Sequence, residues 1–499
     1  MEKYLLGIDV GTSACKVTVF DERGQVKANE TMAYAVYYPK EGWAEQDPKE
    51  WWEAVCRAIK SVLAKGNISP GDIGAVGVDG QSWSSVFLDR DGEVLVNTPI
   101  WMDTRAKEIC EKLRQHTDED SVFALCGNPL EPCYTTPKIL WYQEHYPELS
   151  GRTFKVLQSN SYIVFKLTGI MSQDLSQGYG LHCFDMHKGK WDEEMCRELG
   201  IEKGMLPDIY PCHEIVGKVN SAASSQCGLL EGTLVAAGGL DAACASLGAG
   251  VLDPGQTQEQ GGQAGGMSIC TDTYRSDRRL ILSFHVVPDM WLLQGGTTGG
   301  GGVMRWLEQE FGAYERGQEL KTGESSLDQF NRLAEKVAPG SDGMVFLPYM
   351  AGERSPIWDP EAKGGYYGIN FGKSKGHFIR SAMEGVAFSL RHNLDVAKES
   401  GAMVKEMYAV GGSANSLVWT QIKSDVTGKR ILVPASDTAA TLGAAILAGV
   451  GAGMYRDFHE GVKKTVKVLR THEPDASTFP VYEKNYQMYR NLYARLKTL

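Results

Sequence analysis

Glycine is abundant in this chain, and it is clustered. It makes up 57 of the 499 residues, about 11% against about 7% in average proteins. The clusters lie beside apolar segments, at residues 238–239, 261–266, 295–302 and 411–412. Because glycine has no Cβ, such turns let a ligand approach the backbone closely. The pattern therefore favours an ordered protein with glycine-rich turns at a binding site over a chain with flexible linkers.

Composition excludes several classes of protein. Hydrophobic residues make up 42% and charged residues 23%, which is ordinary for a globular protein and excludes a disordered, collagen-like or fibrous chain. The net charge of -11 argues against a nucleic-acid partner, because nucleic-acid-binding domains are usually basic. No segment reaches the run of about 18 apolar residues that a membrane span requires, so we expect no membrane partner.

Cysteine and histidine usage points to a reducing compartment and away from zinc. The 11 cysteines are scattered between Cys15 and Cys270 without a Cys-x-x-Cys pair, and the 10 histidines are equally dispersed. The N-terminal segment becomes acidic before an apolar stretch reaches the length of a signal peptide. We therefore expect reduced thiols in a cytoplasmic protein.

The order of strand and helix patterns predicts an α/β protein with two domains. Residues 105–235 can be assigned only coarsely as mixed helix and loop. Strand patterns occur elsewhere at 4–8, 16–20, 26–35, 73–79, 234–241 and 404–412, and helical patterns at 48–65, 242–250 and 482–499. Since strands alternate with helices in both halves, we expect two α/β domains facing a cleft. Their predicted limits are 1–248 and 249–470, with a C-terminal helix at 471–499 packing back on the body.

The segment Asp9-Val-Gly-Thr-Ser13 is the first candidate binding motif. An acid at the end of an apolar strand, followed by a Gly-Thr-Ser turn, directs backbone N–H groups and hydroxyls to one place. That arrangement suits a phosphate, and the acid suits the Mg²⁺ that accompanies a nucleotide. The alternative is a plain hairpin capped by Asp and Thr, which is equally compatible with this motif alone.

Two later turns repeat the same strand–turn–helix pattern. Residues 295–302 hold four consecutive glycines before a predicted helix, and residues 411–415 read Gly-Gly-Ser-Ala-Asn. The chain contains no Gly-x-x-x-x-Gly-Lys-Ser/Thr motif, which excludes a P-loop enzyme. One early and two late turns together indicate a nucleotide held between two domains.

Asp241 is the candidate catalytic base. It ends a predicted strand directly after Gly238-Gly239-Leu240, where its carboxylate would take the proton of an attacking hydroxyl beside the phosphate-binding turns. The alternative is an N-cap of the following helix, and both roles are compatible.

Two loops carry groups suited to polyol recognition. Gln81-Ser82-Trp83 and the segment from Trp101 to Arg105 combine aromatic faces with amide, carboxylate and guanidinium groups. The alternative is that these are ordinary turn residues around a core tryptophan.

The chain resembles the FGGY family of carbohydrate kinases, and within it the xylulokinase-like branch. The resemblance extends over nearly the whole chain and rests on motifs that occur in the family's order. They include residues 7–13, 43–48, 51–52, 101–105, 137–141, 238–241, 346–356, 365–370, 377–384 and 411–419.

The resemblance implies a two-domain fold of the ribonuclease H-like, actin-like ATPase type, with ATP and a sugar meeting in the interdomain cleft. Asp241 would be the base and Asp9 would hold Mg²⁺. Together with the glycine-rich turns, it implies nucleotide contacts at Gly11, Thr12, Ser13, Gly262, Gln263, Gly296, Thr297, Gly301, Gly411, Gly412 and Asn415. Sugar contacts would come from Gln81, Ser82, Trp83, Trp101, Asp103 and Asp241, with Arg105 bracing its loop.

Two departures from the family pattern bear on function. Ser82-Trp83 stands where xylulokinases carry Met-His, so the identity of the sugar stays open. The turn Gly262-Gln-Ala-Gly265 stands where the family usually has Gly-Thr-Ser-Gly, so phosphate contacts there must come from backbone N–H groups or Gln263.

These observations predict a kinase that transfers the γ-phosphoryl group of ATP, with Mg²⁺, to a hydroxyl of a ketose or polyol. A homodimer is the default expectation for its assembly. Two alternatives remain: an actin-like protein that uses ATP as a conformational switch, and a degenerate kinase that senses a sugar. Gln81 and Asp103 argue against the switch, whereas the departure at 262–265 motivates the sensor.

Overall fold

The computed structural model describes residues 3–435 and 438–497. The first and last residues of the predicted domains, 1–2 and 498–499, lie outside the described residues. The α-helices are α1 (Pro48–Gly66), α2 (Lys107–His116), α3 (Glu119–Cys126), α4 (Thr135–His145), α5 (Pro147–Arg152), α6 (Ser159–Thr168), α7 (Glu193–Glu198), α8 (Ser221–Cys227), α9 (Asp241–Ala249), α10 (Gly301–Phe311), α11 (Ala313–Thr322), α12 (Ser326–Glu335), α13 (Lys375–Glu399), α14 (Leu417–Thr427), α15 (Ala439–Gly451), α16 (Phe458–Thr465) and α17 (Phe479–Leu496). Short 3₁₀ turns cover Pro70–Asp72, Leu175–Gly180, Lys203–Met205, Ser341–Gly343, Gly412–Asn415 and Ala476–Thr478.

The strands are β1 (Tyr4–Val10), β2 (Ala14–Phe20), β3 (Val26–Ala33), β4 (Glu45–Gln46), β5 (Ile73–Gly80), β6 (Val86–Leu88), β7 (Thr98–Pro99), β8 (Lys155–Leu157), β9 (Ser172–Asp174), β10 (Phe184–Asp185), β11 (Lys190–Trp191), β12 (Asp208–Tyr210), β13 (Ile215–Lys218), β14 (Leu234–Ala236), β15 (Gly239–Leu240), β16 (Gln256–Gly261), β17 (Gly265–Thr271), β18 (Ile281–Phe284), β19 (Trp291–Thr297), β20 (Val345–Leu347), β21 (Gly365–Tyr367), β22 (Glu406–Val410), β23 (Arg430–Pro434) and β24 (Val468–His472).

Helix α1 shows how the sequence determines an element of the first half. Asp47 accepts a hydrogen bond from the backbone N–H of Lys49, and Pro48 occupies the first turn, where its missing N–H costs nothing. Asn67 ends the helix in the left-handed conformation. Because its apolar residues recur at helical spacing, α1 buries one face against β2 and β3. The predicted helix at 48–65 is confirmed.

The first large sheet has the strand order β13-β14-β5-β1-β2-β3, with β15 beside β5. β1, β2 and β3 are antiparallel, whereas β5 runs parallel to β1 and β14 runs parallel to β5. The buried strands β1 and β5 are apolar on both faces because helices cover both sides. The strands predicted in residues 4–35 and 73–79 are confirmed.

The second large sheet repeats this arrangement. Its order is β18-β19-β17-β16-β22-β23-β24, in which β16, β17 and β19 are antiparallel and β22 and β23 run parallel to β16. Three antiparallel strands followed by parallel ones are thus found in both sheets. This duplication agrees with the ribonuclease H-like, actin-like ATPase fold that we expected.

Helix α15 connects the two sheets, because it lies in sequence between β23 and β24 of the second sheet and packs on β1 and β5 of the first, and on α9. The contact is so close that glycines are required. A Cβ placed on Gly7 would lie 2.0 Å from the carbonyl oxygen of Thr441, and one on Gly443 would lie 1.9 Å from that of Cys244. These glycines serve backbone packing, a use that the ligand-centred interpretation of glycine did not anticipate.

The C-terminal segment contains one long helix. Helix α17 begins at Phe479 and buries Tyr482, Tyr486 and Tyr489 in the core of the second half. The described helices include none that is long and apolar enough to cross a lipid bilayer.

Candidate active site

Three aspartates meet where the central strands of the first sheet end. Asp9 of β1 lies opposite Asp79 of β5 in the parallel register. Gly239 of β15 is paired with Asp79, which brings Asp241, two residues further, to the same edge. In sheets of this kind, ligands bind beyond the carboxyl ends of the parallel strands. Asp79 was not predicted as a site residue, although it ends an apolar strand just as Asp9 does.

Asp241 is half-buried and only lightly bound by the protein. Its Oδ1 accepts a hydrogen bond of 2.6 Å from the N–H of Ala242. Burial, reinforced by the charge of Asp9, raises the pKa of Asp241 to about 7. Leu240 is the N-cap residue of α9 and Asp241 is its first residue, so the alternative of Asp241 as the N-cap is wrong, although its Oδ1 accepts from one N–H at this helix start. The other carboxylate oxygen, Oδ2, is therefore suited to accept a proton near neutral pH.

Asp9 and Asp79 form a closely coupled pair. Asp79 is completely buried, and neither of its carboxylate oxygens has a hydrogen-bond donor. Burial and then the charge of Asp9 raise the pKa of Asp79 far above its usual range. Burial raises the pKa of Asp9, opposed by the charge of Lys16. Both carboxyls therefore ionise less readily than an exposed aspartate would.

The turn at Gly11, Thr12 and Ser13 joins β1 to β2 directly beyond Asp9. The N–H of Gly11 donates to the carbonyl of Ala14 at 3.2 Å. The hydroxyl of Thr12 accepts a bond of 2.9 Å from the indole N–H of Trp101. The structure thus joins the first predicted phosphate turn to a predicted sugar loop.

The other sugar-loop residues lie beside this edge. The Gln81 amide donates to Gln46 Oε1 at 2.7 Å, and the Ser82 hydroxyl accepts from the Tyr179 hydroxyl at 2.7 Å. Trp83 has a left-handed backbone (φ 59°), which is costly for a bulky residue. Its ring stacks on Tyr134 with 4.2 Å between centroids. An aromatic cluster therefore surrounds the position where xylulokinases are expected to have histidine.

Asp103 occupies a different place from the one we predicted. It is completely buried, accepts from the N–H of Ala44 at 2.8 Å, and pairs with Arg105 at 2.7 Å. Arg105 also pairs with Glu45 at 2.7 Å and lies over the ring of Trp43. The geometry does not support a direct sugar contact for Asp103. It braces the loop together with Arg105, whose bracing role was expected.

Lys138 holds the two sugar loops together. It is completely buried, and its ammonium group donates to the carbonyls of Trp83 and Ile100, both at 2.8 Å. Burial lowers the pKa of Lys138 to about 7. In the sequence, Lys138 stands out only as part of a family motif, because a lysine in a helical segment normally indicates a solvated face.

We expect the substitution Lys138→Met to loosen both loops. Methionine fills the space but leaves the buried Trp83 carbonyl without a donor, which costs about 1–3 kcal/mol, whereas the Ile100 carbonyl keeps the N–H of Asp103 at 3.0 Å. The free energy of unfolding should fall by at least about 1 kcal/mol, and KM for the sugar should rise more than kcat falls. Urea unfolding and steady-state kinetics measure both. The matched control is Lys112→Met at an exposed pair with Glu144, where a change within about 0.5 kcal/mol is expected; equal effects of the two substitutions would contradict this role.

The second half contains a cavity of about 360 Å³. It brings together predicted residues from three separate turns, namely Gly262, Gly301, Gly412 and Asn415. Gly411 adopts φ 87°, and a Cβ there would lie 2.9 Å from the carbonyl oxygen of Gly261. Apolar and polar side chains complete the lining, including Met304, Arg305, Leu327, Asp328, Asn331, Met383 and Trp419.

The glycine-rich loop at 295–302 packs on the turn at 262–265. The N–H groups of Gly301 and Gly302 donate to the carbonyls of Gly262 and Gln263, at 2.7 and 2.9 Å. A Cβ on Gly302 would lie 2.3 Å from the amide nitrogen of Gln263. The glycines at this helix start therefore permit contact between two loops as well as access to the cavity.

Gly296 and Thr297 belong to β19 and do not line this cavity. The hydroxyl of Thr297 donates to the carbonyl of Gly299 at 3.1 Å, so it is used within its own loop. Gln263 likewise lies beneath Gly302 rather than in the cavity lining. The geometry gives these three residues a supporting place around the nucleotide cavity.

Comparison with known proteins supports the resemblance. The N-terminal domain model of the FGGY family of carbohydrate kinases matches residues 4–248, and the C-terminal domain model matches residues 269–452. A xylulose kinase of Bacillus subtilis is 29% identical over 100% of this chain and 98% of its own length. A gluconokinase of Bacillus licheniformis is 28% identical, covering 99% of this chain and 96% of its own.

Solved structures agree in fold. The crystal structure of xylulose kinase from Rhodospirillum rubrum superimposes with a TM-score of 0.90, at 28% identity and 99% coverage of both chains. Taken with the duplicated sheets and the carboxylates at the strand ends, these matches establish the fold as that of the actin-like ATPases. The chain belongs to the FGGY family of carbohydrate kinases.

Proposed function

We propose that this carbohydrate kinase transfers the γ-phosphoryl group of ATP to a hydroxyl of a ketose or polyol, with Asp241 as general base. The supporting observation is the Asp241 carboxylate, which has one protein hydrogen bond and a pKa raised to about 7. A base with a pKa near the operating pH combines a useful ionised fraction with a useful proton affinity.

In this proposal each half of the protein has its own task. The cavity formed by Gly262, Gly301, Gly412 and Asn415 holds ATP, and the turn at 11–13 lies at the transferred phosphoryl group. Asp241 accepts the proton of the sugar hydroxyl as its oxygen attacks phosphorus. Closure of the cleft excludes water, which would otherwise accept the phosphoryl group.

Magnesium fits the donors that are present. Mg²⁺ in proteins binds oxygen ligands, typically one or two carboxylates with waters and substrate phosphates. Asp9 offers such a carboxylate at the strand end, and Asp79 behind it has two oxygens without donors. We propose that Asp9 holds the ion and that Asp79 supports it. When bound, the ion would neutralise charge on the phosphate oxygens.

The proposed class of acceptor depends on the loop that contains Ser82 and Trp83. Trp83 is buried in the core and stacks on Tyr134, which agrees with the alternative of a core tryptophan at this turn, whereas the partly exposed Ser82 accepts from the Tyr179 hydroxyl. Aromatic faces with a few fixed polar groups suit the carbon skeleton and hydroxyls of a polyol. One named relative is a xylulose kinase, which supports a ketopentose within the proposed acceptor class, and the other is a gluconokinase, so aldonates belong in the test as well.

Three expectations from the sequence remain predictions: the domain limits at residues 248 and 470, assembly as a homodimer, and location in the cytoplasm. The cytoplasmic location is a proposal supported by the cysteines, because all 11 are free thiols.

The direct test is a screen of ADP release over ketoses, aldoses, polyols and aldonates in the presence of Mg²⁺. We expect release to depend on added acceptor, with kcat/KM at least about tenfold higher for a ketose or polyol than for an aldose. Release without an acceptor would favour the conformational switch. Tight binding of a sugar without product would favour the sensor.

A further inference from the structure

Arg354 lies in the segment between β20 and β21, beside a buried glutamate that does not neutralise it. Glu353 Oε1 accepts from the N–H groups of Thr298 and Arg354, at 2.7 and 2.8 Å. Its Oε2 accepts from the Ser389 hydroxyl at 3.3 Å. The carboxylate is thus used to fix the backbone of two loops. The charges of Glu353 and Arg354 interact, but the two side chains form no ion pair within 4.0 Å.

The guanidinium reaches the junction of the nucleotide loops and the sugar loop. It donates a single long bond of 3.4 Å to the carbonyl of Thr297. Its Cζ lies 3.2 Å from the position that a Cβ on Gly296 would take. On the other side, Cζ is 6.0 Å from the centre of the Trp101 ring, which itself binds Thr12. A cation from the second half therefore reaches the phosphate turn and sugar loop of the first half.

Arg354 differs from the buried arginines Arg105 and Arg380, because no carboxylate forms an ion pair with it. Arg105 pairs with Asp103 and Glu45, and Arg380 pairs with Glu384 at 2.9 Å. In residues 3–435 and 438–497, no carboxylate oxygen lies within 4.0 Å of the Arg354 side-chain nitrogens. Burial lowers the pKa of Arg354, because a charged guanidinium is less stable when it is removed from water. Enclosed charges are normally paired, so an anionic ligand is the missing partner.

We propose that Arg354 is a further catalytic residue, whose guanidinium binds the oxygens of the phosphoryl group during its transfer from ATP to the sugar. The proposal rests on the proposed function. The bond between the γ-phosphorus and the bridging oxygen of ADP breaks, and a bond from the sugar oxygen to that phosphorus forms. The hydroxyl proton goes to Asp241, and Arg354 keeps its own protons throughout. A planar guanidinium with several N–H donors matches a phosphoryl group better than a point charge does.

A carboxylate on the sugar is a second possible source of the anion. An aldonate bound near Trp101 would present such a group to the same guanidinium. The two sources differ in their kinetics. A phosphoryl ligand makes Arg354 important for every acceptor and mainly in kcat, whereas a sugar carboxylate makes it important only for aldonates and mainly in KM.

The test compares Arg354→Gln, Arg354→Lys and the exposed control Arg456→Gln in the full-length protein. For a neutral acceptor we expect Arg354→Gln to lower kcat by at least about 100-fold, since arginines acting on a transferred phosphoryl group contribute factors of about 10³–10⁵. Lysine should restore about tenfold. The Kd of the neutral acceptor, measured by calorimetry, should change less than about threefold, and Arg456→Gln should match the wild type. The affinity for ADP with aluminium fluoride, a mimic of the phosphoryl group in transfer, should fall at least about tenfold in Arg354→Gln.

Three results would overturn the proposal. One is a kcat of Arg354→Gln within about threefold of wild type for neutral acceptors. Another is a loss restricted to KM for aldonates. The third is a joint fall of thermal midpoint and acceptor affinity in both Arg354 variants, which would mean a structural role. Failure of the proposed function is distinguishable, because the wild type would then phosphorylate no acceptor while the aluminium fluoride measurement still decides whether Arg354 binds a phosphoryl group.

Discussion

Replacing Asp241 with asparagine is expected to lower kcat by about 10²–10⁴-fold, the usual contribution of a general base. Asparagine has nearly the same shape, and its side-chain oxygen can keep the bond to the N–H of Ala242. It cannot take the proton of the attacking hydroxyl. The Kd values of ATP and of the acceptor, measured by calorimetry, should therefore change less than about threefold.

The pH dependence of stability supplies the control for this variant. The pKa of Asp241 is raised in the folded protein from 3.8 to about 7, so the folded state binds more protons than the unfolded state between these values. The free energy of unfolding from this group then falls as pH rises across that window. Asp241→Asn removes this loss and should be more stable than wild type at pH 8, with little difference below pH 4. Retained turnover, or a variant less stable at pH 8, would contradict the role assigned to Asp241.

Replacing Gly443 with alanine is expected to lower the stability of the protein. Gly443 lies in α15, which packs against α9, the helix that begins with Asp241. The added Cβ would lie 1.9 Å from the carbonyl oxygen of Cys244 in α9, so backbone must move against backbone. Overpacking usually costs about 1–3 kcal/mol, and we expect the upper end of that range or more because no flexible side chain can yield. Since α9 begins with Asp241, kcat should fall as well.

Gly317→Ala is the matched control for this prediction. Gly317 lies inside α11, and a Cβ there would meet no atom within 4 Å. Alanine is a better helix former than glycine by about 1 kcal/mol, so this variant should be slightly stabilised and fully active. Urea unfolding and steady-state kinetics of the two variants measure the difference. A stable, active Gly443→Ala protein would refute the close packing of α9 and α15.

Much of the fold was predictable because its elements carry strong local patterns. The strand–turn–strand pattern at Tyr4–Phe20 and the helical spacing from Pro48 onward correspond to observed elements. The apolar strand leading to Asp241 and the paired glycines at 411–412 likewise mark real turns at the strand ends. These predictions are correct because local propensity and tertiary structure favour the same element at these places.

The remaining features depend on partners that are distant in sequence. Asp79 reads as the end of an ordinary strand, and only the register with β1 brings it against Asp9. In the sequence, Asp103 resembles an exposed acid in a loop. In the structure it is buried and bonded to Ala44 and Arg105. Lys138 becomes an anchor only because two loops offer carbonyls to it. Several glycines could not be explained from the sequence for the same reason. They are required because α15 approaches β1 and α9 at backbone distance.

The most direct test of the account is the stoichiometry of the reaction, measured by ³¹P NMR with the best acceptor from the screen. We predict one phosphorylated sugar for each ADP formed by the wild type, and at most about 1% of either product in the same time with Asp241→Asn. Formation of ADP and inorganic phosphate without a phosphorylated sugar would contradict the assignment of a sugar kinase with Asp241 as its base.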